Sequence, residues 1–328
     1  METRLLGRTL RAVSVVGQGC WQFGGDWGNV SDDDARAVLH AAADAGVTFF
    51  DTADVYGDGH SEELVGAFLR ERSDDSFFVA TKLGRRADPF VPETYTRENL
   101  RAWTERSRRN LGVDMIDLTQ LHCPPTPVYS TESVFDALDE MVDDGWIRNY
   151  GVSVETVHEA LTALERPGVA SIQIILNVFR RKPLEQVLPA AKAAGVGIIA
   201  RVPLASGLLT GRFAEDTTFE ASDHRTYNRQ GEAFDQGETF SGVPYDVGVA
   251  AAREFVDLVP EGVTPAQFAL RWILAQDGVS AVIPGASRAD QAAANAAAAD
   301  VLPPTVEQLA ALEDLYDRHI RAHVHSRW

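Results

Sequence analysis

The apolar residues of this chain fall into short continuous runs, and amphipathic helical segments separate most of these runs. Eight runs have the length of a buried strand, at 13–17, 47–50, 77–81, 115–121, 147–152, 171–176, 196–202 and 279–283. Strands that are buried on both faces of a parallel sheet read as continuous apolar runs, and a helix normally connects them. The pattern therefore predicts an α/β fold with a closed (β/α)8 TIM barrel. A doubly wound open sheet is the alternative.

The helical segments carry recognisable end signals. Ser31 precedes an acidic first turn and a row of apolar positions at helical spacing, and Gly46 follows the last of them. Serine is a favoured N-cap, and glycine is favoured just beyond a helix end. Thr264 precedes Pro265, which is the expected pair for a cap and a first helical turn. These signals place helices between the strands, as a barrel requires.

Two segments lie outside the eight repeating units. The first residues predict a short hairpin over the barrel floor, with Gly7 and Arg8 at its turn. The stretch from Ser206 to Asp246 is too long for an ordinary connection. Because it follows the seventh strand, on the face where barrel active sites lie, we interpret it as a lid. A mobile surface insertion is the alternative. No linker divides the chain, so we expect one domain over residues 1–328.

The composition excludes several classes of function. The 328 residues include 30 Lys and Arg against 48 Asp and Glu, which gives a formal net charge of −18. Such a surface repels nucleic acid and anionic lipid, and we expect neither as a partner. No apolar run approaches the ~18 residues of a membrane span, and the N-terminus lacks a secretory h-region. Cys20 and Cys123 have neither metal nor disulfide-scaffold spacing. A reducing cytoplasm and no metal are therefore expected.

Polar residues stand at the ends of three successive predicted strands. Asp51 follows the second strand, Lys82 the third and His122 the fourth, while Tyr56 lies on the loop beyond Asp51. In a barrel, the carboxyl ends of the strands meet at one mouth, so these four groups are expected to converge. Taken singly, each has a structural explanation: a helix cap, a packed loop aromatic, a surface charge and a strand-end histidine. Their joint occurrence predicts a catalytic site.

The chemistry of this set favours proton donation to an alkoxide. A tyrosine ionises near pH ~10, and a neighbouring ammonium lowers its pKa by favouring the phenolate. Lys82 would supply that charge, and Asp51 would hold the buried lysine in place. His122 would orient a carbonyl oxygen or share in a proton relay. The set is therefore suited to carbonyl reduction by hydride.

Segments spread along the chain resemble the aldo-keto reductase family. In chain order they read "GQGCWQFGGDWG", "FFDTADVYG", "ATKLG", "DLTQLHCPP", "GVSVE", "RVPLASGLLTGRF", "TPAQFALRWIL" and "IPGASRADQAAAN". The family is a (β/α)8 barrel that moves hydride between NADPH and an aldehyde or ketone. The resemblance implies that Asp51, Tyr56, Lys82 and His122 are the catalytic tetrad, with Tyr56 as the general acid.

The resemblance also implies a nicotinamide cofactor at the barrel mouth. The positions that correspond to the family's cofactor-binding residues are Cys20, Trp21, Asp51, Ser153, Gln173, Arg201, Pro203, Leu204, Ala205, Ser206, Arg212, Gly285, Ser287, Arg288, Gln291 and Asn295. Gly285 and Ser287 also precede a helix whose free N–H groups suit a phosphate. Arg288 can pair with a 2′-phosphate as a fork. We therefore expect NADPH, with NADH as the alternative.

Three positions depart from the family pattern. Val154 stands where many members have asparagine or arginine, and Ala294 stands where an acid often meets the adenine. Arg201 replaces the aromatic residue that commonly stacks on the nicotinamide. A guanidinium beside the ring should disfavour the positively charged oxidised form. Arg201 therefore suggests a preference for reduction.

The sequence thus predicts an NADPH-dependent reductase of a small aldehyde, ketone or sugar. Trp21, Trp27, Phe234 and Tyr245 are expected to shape the substrate pocket. One alternative is an NAD(P)-dependent aldose 1-dehydrogenase that uses Tyr56 as a base. Another is an NADPH-sensing subunit with little turnover, which the intact tetrad disfavours. The substrate, the preferred direction and the oligomeric state are left open by the sequence.

Overall fold

The computed structural model describes residues 1–28, 30–74 and 76–328. Within these ranges a short hairpin precedes the strands of the main sheet. The strands are β1 (Thr3–Leu5), β2 (Ala12–Ser14), β3 (Gln18–Gly19), β4 (Phe49–Asp51), β5 (Phe78–Leu83), β6 (Leu118–His122), β7 (Tyr150–Ser153), β8 (Val169–Ile175), β9 (Gly197–Arg201) and β10 (Val279–Val282). This order matches the predicted alternation from β4 onward.

Helices follow most of the strands. The α-helices are α1 (Asp32–Asp44), α2 (His60–Arg72), α3 (Arg97–Leu111), α4 (Glu132–Asp143), α5 (Val157–Leu164), α6 (Val187–Ala194), α7 (His224–Tyr227), α8 (Tyr245–Asp257), α9 (Pro265–Leu274), α10 (Ala289–Ala296), α11 (Val306–Leu315) and α12 (Arg321–Val324). The predicted caps are present: the Ser31 hydroxyl accepts from the Asp34 N–H, and Thr264 forms a capping box with Gln267. None of the helices in the described residues is long and apolar enough to cross a membrane.

The strands β3 to β10 form one parallel sheet in sequential order. Parallel bridges join Val16 to Val282 and Gly19 to Gly285, so the first and last strands meet. The Gly17 N–H donates to the Val282 carbonyl at 2.8 Å across this seam. The predicted (β/α)8 barrel is therefore confirmed.

The first predicted strand was placed too early. Residues 12–14 pair antiparallel with β1, in the register Arg4 to Val13, and the first barrel strand is Gln18–Gly19. The predicted hairpin is confirmed, and its second strand includes residues 13 and 14, which we expected to belong to the first barrel strand. Leu6 and Val13 pack in the same buried cluster as Phe49 and Phe78. The hairpin thus closes the amino-terminal end of the barrel.

The inward-facing positions change from apolar to polar along the barrel axis. Because successive side chains of a strand alternate between two faces, residues two apart share the barrel interior. On β4, Phe49 lies in the interior apolar cluster, and two residues later Asp51 begins the polar mouth. On β5, Phe78 and Ala80 lie in that cluster, and Lys82 follows. The pleat therefore brings one polar side chain per strand to the same level.

The long segment between β9 and α8 is folded rather than extended. It contains 3-10 turns at Ala205–Thr210, Gln236–Glu238 and Phe240–Gly242, together with the short helix α7. The Asn177 amide from the end of β8 donates to Val202 O at 2.8 Å and to Ser241 Oγ at 2.7 Å. These bonds attach both ends of the segment to the rim of the barrel mouth.

Candidate active site

A buried ion pair lies at the centre of the barrel mouth. The Lys82 ammonium donates to Asp51 Oδ1 at 2.5 Å and to the Thr52 carbonyl at 2.8 Å. The other oxygen of Asp51 accepts from the side-chain amides of Gln120 at 3.2 Å and Gln173 at 2.8 Å. Burial acts to lower the pKa of Lys82, but the interactions with Asp51 and Tyr56 together outweigh it and raise that pKa. The lysine is therefore held in its charged form.

Tyr56 lies above this ion pair, on a short 3-10 turn at Tyr56–Gly59. Its hydroxyl is 3.4 Å from Lys82 Nζ. Burial raises the pKa of Tyr56 to about 12, although the charge of Lys82 acts in the opposite direction. The sequence-based expectation of a lowered pKa is therefore wrong for the net effect, because burial of the phenol exceeds the attraction of the ammonium. Tyr56 is a protonated phenol at neutral pH.

His122 lies at the end of β6, with its ring 5.8 Å from the Tyr56 ring, centroid to centroid, in an edge-to-face arrangement. Burial and the positive charges of Arg85, Lys82 and Arg201 hold the pKa of His122 well below its ordinary value. Arg85 Nη1 is 3.5 Å from His122 Nε2, and Nδ1 has no hydrogen-bond partner in the described part of the chain. The imidazole is therefore neutral beside Tyr56.

A second buried charge cluster lies next to His122. Arg85 Nη1 donates to Glu238 Oε1 at 2.7 Å, and Arg201 pairs with Glu155 at 2.8 Å and with Glu238 at 3.7 Å. The coupled carboxyls differ: burial raises the pKa of Glu155, whereas Arg85 and Arg201 outweigh burial and lower the pKa of Glu238. Glu238 is therefore the ionised carboxylate of this cluster, whereas Glu155 more readily keeps its proton. Arg201 lines the cavity as expected, and the preference for reduction that it suggests stays a prediction.

Cys123 completes this cluster. Its sulfur and the carboxylate oxygens of Glu155 and Glu238 lie within 4.8 Å of one another. The Arg201 guanidinium donates to the Cys123 sulfur at 3.5 Å and pairs with both carboxylates. The Arg201 guanidinium therefore supplies the positive charge between these three groups.

One elongated cavity of about 510 Å³ begins at Tyr56 and extends to the amino-terminal side of α10. Its wall contains most of the residues that the sequence predicted for a cofactor. Those that line it are Cys20, Trp21, Asp51, Gln173, Arg201, Pro203, Leu204, Ser206, Arg212, Gly285, Ser287, Gln291 and Asn295. Asp51, Tyr56 and His122 of the predicted tetrad line the same cavity, whereas Lys82 is buried outside the lining, 3.4 Å from the Tyr56 hydroxyl.

Three predicted positions do not line this cavity. Ser153 is buried, and its carbonyl and hydroxyl contact Tyr129 and Cys123. Ala205 is also fully buried. Arg288 is the N-cap residue of α10, and its guanidinium makes two 3.0 Å hydrogen bonds to the carboxylate of Asp290. The Arg288 guanidinium, which we expected to bind a phosphate, is therefore paired with Asp290 in this structure.

Other residues of the cavity wall were missed in the sequence. Their common feature is that none of them carries one of the titratable groups by which the strand ends were searched, except Arg225 and Glu238 of the long segment. They are Gly19, Gln22, Val202, Gly207, Thr210, Phe213, Arg225, Glu238, Thr264, Pro265, Ala266, Ile283, Pro284 and Ala286. Gln22 and Gly207 lie within quoted family-like segments, which could have indicated them. The position of Glu238 depends on a contact with Arg85, 153 residues away, for which the sequence gives no signal.

The long segment contributes one wall of the mouth. The His224 ring lies 4.9 Å from Trp21 and 4.5 Å from Trp27, and the Phe234 ring is 5.9 Å from Trp21, all measured between centroids. Tyr245 instead directs its hydroxyl to the Ala214 carbonyl and does not line the cavity. Phe234 does not line the cavity either, so the expectation that Phe234 or Tyr245 shapes the pocket is wrong. Opening and closing of this segment as a lid stays a prediction.

The far end of the cavity suits a phosphate-bearing ligand. Val202, Ala205 and Ser206 have φ values of 50°, 48° and 53°. A left-handed conformation is rare for a β-branched residue and persists only where its surroundings hold it. Backbone turns of this kind direct N–H groups into a concavity that binds anions. The buried Gln22 Oε1 in the same wall has no hydrogen-bond partner among the described residues. The residues present therefore fit a dinucleotide.

Comparison with known proteins agrees with this geometry. A sequence model of the Aldo/keto reductase family matches residues 15–317. The chain belongs to the aldo/keto reductase family. The aldo-keto reductase YhdN from Bacillus subtilis (strain 168) is 32% identical over 295 residues, which cover 89% of this chain and 86% of that protein.

Solved structures of other aldo/keto reductases share the fold. The glycerol dehydrogenase AKR11B4 from Gluconobacter oxydans has a TM-score of 0.80 and 32% identity, with coverage of 97% of this chain and 96% of that one. An aldo/keto reductase from Klebsiella pneumoniae, solved in complex with NADP and acetate, has a TM-score of 0.70 and 26% identity, with 96% of each chain covered. The match thus spans the barrel, the N-terminal hairpin and the long segment after β9.

Proposed function

We propose that this aldo/keto reductase reduces an aldehyde or ketone to an alcohol with NADPH as the hydride source. The observation that carries the proposal is the position of Lys82. Its ammonium is 2.5 Å from Asp51 and 3.4 Å from the Tyr56 hydroxyl, at one end of an elongated cavity. A phenol beside a fixed positive charge is a proton donor for an oxygen that becomes negative during the reaction.

Tyr56 acts as the general acid in this proposal. A substrate carbonyl oxygen accepts a hydrogen bond from the phenol, and the phenol proton moves to that oxygen as negative charge develops there. Lys82 stabilises the resulting phenolate, and Asp51 keeps the ammonium in position. The neutral His122 orients the carbonyl by a hydrogen bond. The walls formed by Trp21 and Trp27 exclude water from the reacting atoms.

Cofactor binding uses the remaining length of the cavity. When bound, the reduced nicotinamide supplies the hydride. The left-handed turns at Val202–Ser206 and the residues Gly285 and Ser287 before α10 would hold the phosphates. Arg288 would exchange Asp290 for a 2′-phosphate, since this ion pair is exposed and such pairs contribute little. The NADP complex of the related Klebsiella protein supports NADPH over NADH.

Oxidation of an alcohol is the second candidate. The likeness to a glycerol dehydrogenase favours it, and the same four residues would act in reverse with Tyr56 as the base. An aldose 1-dehydrogenase would be one form of this reaction. The high pKa of Tyr56, which burial raises to about 12, favours the protonated acid and therefore the reductive direction at neutral pH. A low-turnover NADPH sensor is less consistent with the complete tetrad.

The test is a loss-of-absorbance assay with NADPH and a panel of aldehydes, ketones and sugars. Tyr56→Phe should lower kcat by ~10²-fold or more, the usual contribution of a positioned acid, while NADPH binding stays within about threefold. Tyr150→Phe is the matched control, because its hydroxyl bonds to Asp139 and does not line the cavity. Near-normal turnover in Tyr56→Phe would remove Tyr56 from the acid role.

A further inference from the structure

Trp328 lies between the barrel and the long segment that follows β9. Only 6% of its surface is exposed, and it does not line the cofactor cavity. Its indole nitrogen donates to both carboxylate oxygens of Asp235 in the long segment, at 2.9 and 3.2 Å. The Arg180 guanidinium carbon, which belongs to the barrel, lies 3.8 Å from the centroid of the indole. Trp328 therefore bridges two parts of the molecule.

Two glycines of the long segment allow this close contact. Gly237 belongs to the 3-10 turn Gln236–Glu238, and Gly242 belongs to the turn Phe240–Gly242. A Cβ atom at Gly242 would collide with the indole, and one at Gly237 would lie 3.1 Å from it. Residues without a Cβ atom thus let the ring lie directly on the backbone of both turns.

The groups that hold Trp328 on the barrel side are themselves fixed. Arg180 is buried, and its Nη2 donates to the Glu155 carbonyl at 3.2 Å. The segment that carries Trp328 is attached close by, because His325 Nε2 lies 2.9 Å from Glu185 Oε1, between β8 and α6. The indole thus packs on the barrel, and the two turns of the long segment pack on the indole.

The turns that Trp328 contacts are bonded to the wall of the cofactor cavity. The Glu238 carbonyl accepts from the Ser206 hydroxyl at 3.1 Å, and the Phe240 N–H donates to the same hydroxyl at 2.9 Å. Ser206 lines the cavity and lies in the left-handed turn that suits a phosphate. Glu238 lines it as well. A shift of these turns would therefore move the cavity wall, although Trp328 does not touch the cavity.

Two sets of residues form the walls of this cavity. Gly285, Ser287 and Gln291 belong to the barrel, at or just before the start of α10, whereas Arg212 and Arg225 belong to the long segment. A dinucleotide that contacts both sets loses contacts more readily when the long segment is loosely held. Release of the bound cofactor is then faster.

We infer that Trp328 is a positioning residue that holds the long segment against the barrel and thereby slows the release of NADPH. The hydrogen bond to Asp235 and the stack on Arg180 are both made where little water is present, so both contribute strongly. The inference rests on the proposed function only for the cofactor, and it is independent of the carbonyl substrate.

The experiment measures the rate at which NADPH leaves the protein, from the change in nicotinamide fluorescence when excess NADP⁺ displaces it. Trp328→Ala should raise this rate by roughly tenfold, because it removes the hydrogen bond and the stacked ring together. Trp328→Phe should raise it by only about threefold or less, since a phenyl ring retains the contacts with Arg180 and the two glycines.

Trp146→Ala is the matched control. Trp146 also lies beneath guanidinium groups, those of Arg101 at 5.1 Å and Arg108 at 5.0 Å, and it does not line the cavity. Loss of this tryptophan should leave the release rate within about twofold of the unaltered protein, because it lies far from the long segment in the contact network.

Trypsin digestion of the cofactor-free protein is the second readout. Cleavage after Arg212, Arg225 and Arg229 in the long segment should be at least about threefold faster in Trp328→Ala than in Trp146→Ala. This measurement reports how firmly the segment is held and does not depend on turnover.

An unchanged release rate in folded Trp328→Ala overturns the inference. An equal increase in Trp146→Ala overturns it too, because the effect would then follow from lost stability. If Trp328→Ala does not fold, Trp328→Leu replaces it, since leucine packs on the glycines without the hydrogen bond or the stack. If the unaltered protein does not bind NADPH, the proposed cofactor is wrong, and the digestion decides whether Trp328 holds the segment.

Discussion

The pair of Asp51 and Lys82 allows stability and catalysis to be separated experimentally. Both side chains are almost fully buried, with 3% and 1% of their surfaces exposed. We consider three variants: Lys82→Met, Asp51→Asn and the double variant that carries both changes. Each single change leaves one buried charge without its opposite, whereas the double variant replaces the ion pair by two neutral groups of similar size.

The expected losses of stability follow from these contacts. Removal of one partner of a buried ion pair costs roughly 3–5 kcal/mol of unfolding free energy. The loss of unfolding free energy in Lys82→Met should lie near the lower end of this range, because Asp51 still accepts hydrogen bonds from the amides of Gln120 and Gln173. The double variant should unfold within ~2 kcal/mol of the unaltered protein, since no uncompensated charge remains in the core.

The expected loss of catalysis follows from the distance between Lys82 Nζ and the Tyr56 oxygen, which is 3.4 Å. At an effective dielectric constant of 20, a full negative charge on that oxygen would be stabilised by about 5 kcal/mol. A phenol that has transferred about half of its proton would gain about half of this energy, or roughly 10²-fold in rate. Lys82→Met should therefore lose about 10²-fold in kcat, and the double variant should lose less, because it also removes the Asp51 charge that disfavours a phenolate.

Urea unfolding followed by circular dichroism gives the stabilities, and NADPH consumption with a saturating carbonyl substrate gives kcat. NADPH fluorescence titration shows that the cofactor site is intact in each variant. A double variant that recovers both its stability and its turnover would refute the reasoning. In that case the ion pair would serve only to hold the barrel together.

Two further predictions concern pH. Because burial raises the pKa of Tyr56 to about 12, alcohol oxidation, which needs the phenolate, should rise by up to ~tenfold per pH unit between pH 7 and 10; a pH-independent rate of the chemical step in single-turnover measurements would contradict this. Burial also lowers the pKa of His224 from 6.5 to about 4. Below pH 6.5 the unfolded chain therefore binds a proton at His224 that the folded chain does not bind. The contribution of His224 to the free energy of unfolding is complete above pH 6.5 and falls by roughly 3 kcal/mol towards pH 4. His224→Phe should reduce the loss of stability between pH 7 and 4.5 in urea unfolding; an identical loss in variant and unaltered protein would exclude His224 as its source.

The fold was largely predictable because its signals are local. Continuous apolar runs identified the strands from β4 onward, and Ser31 and Thr264 cap helices as their positions indicated. The first strand was misplaced, because residues 13–17 have the composition of a barrel strand while their pairing with β1 is decided by the hairpin. A run of apolar residues specifies a strand but not its partner.

The candidate site was predictable where residues stand at strand ends. Asp51, Lys82 and His122 meet at the mouth because parallel strands end on one side of a barrel. The pairing of Arg288 with Asp290 was open to prediction, since the two residues lie two positions apart. The Arg85–Glu238 contact was not, because the route of the long segment after β9 depends on its packing.

The amino-acid sequence by itself determined the barrel, the order of its units and the four polar residues at its mouth. Each of these depends on residue type and on spacing within one strand or helix. Only the tertiary structure decided the protonation of Tyr56, the pairing of Arg201 with Glu155 and Glu238, and the presence of Glu238 in the cavity wall. Burial and electrostatic pairing are sums over every neighbour in space, and those neighbours come from separate segments, such as Arg85 and Glu238, which are 153 residues apart.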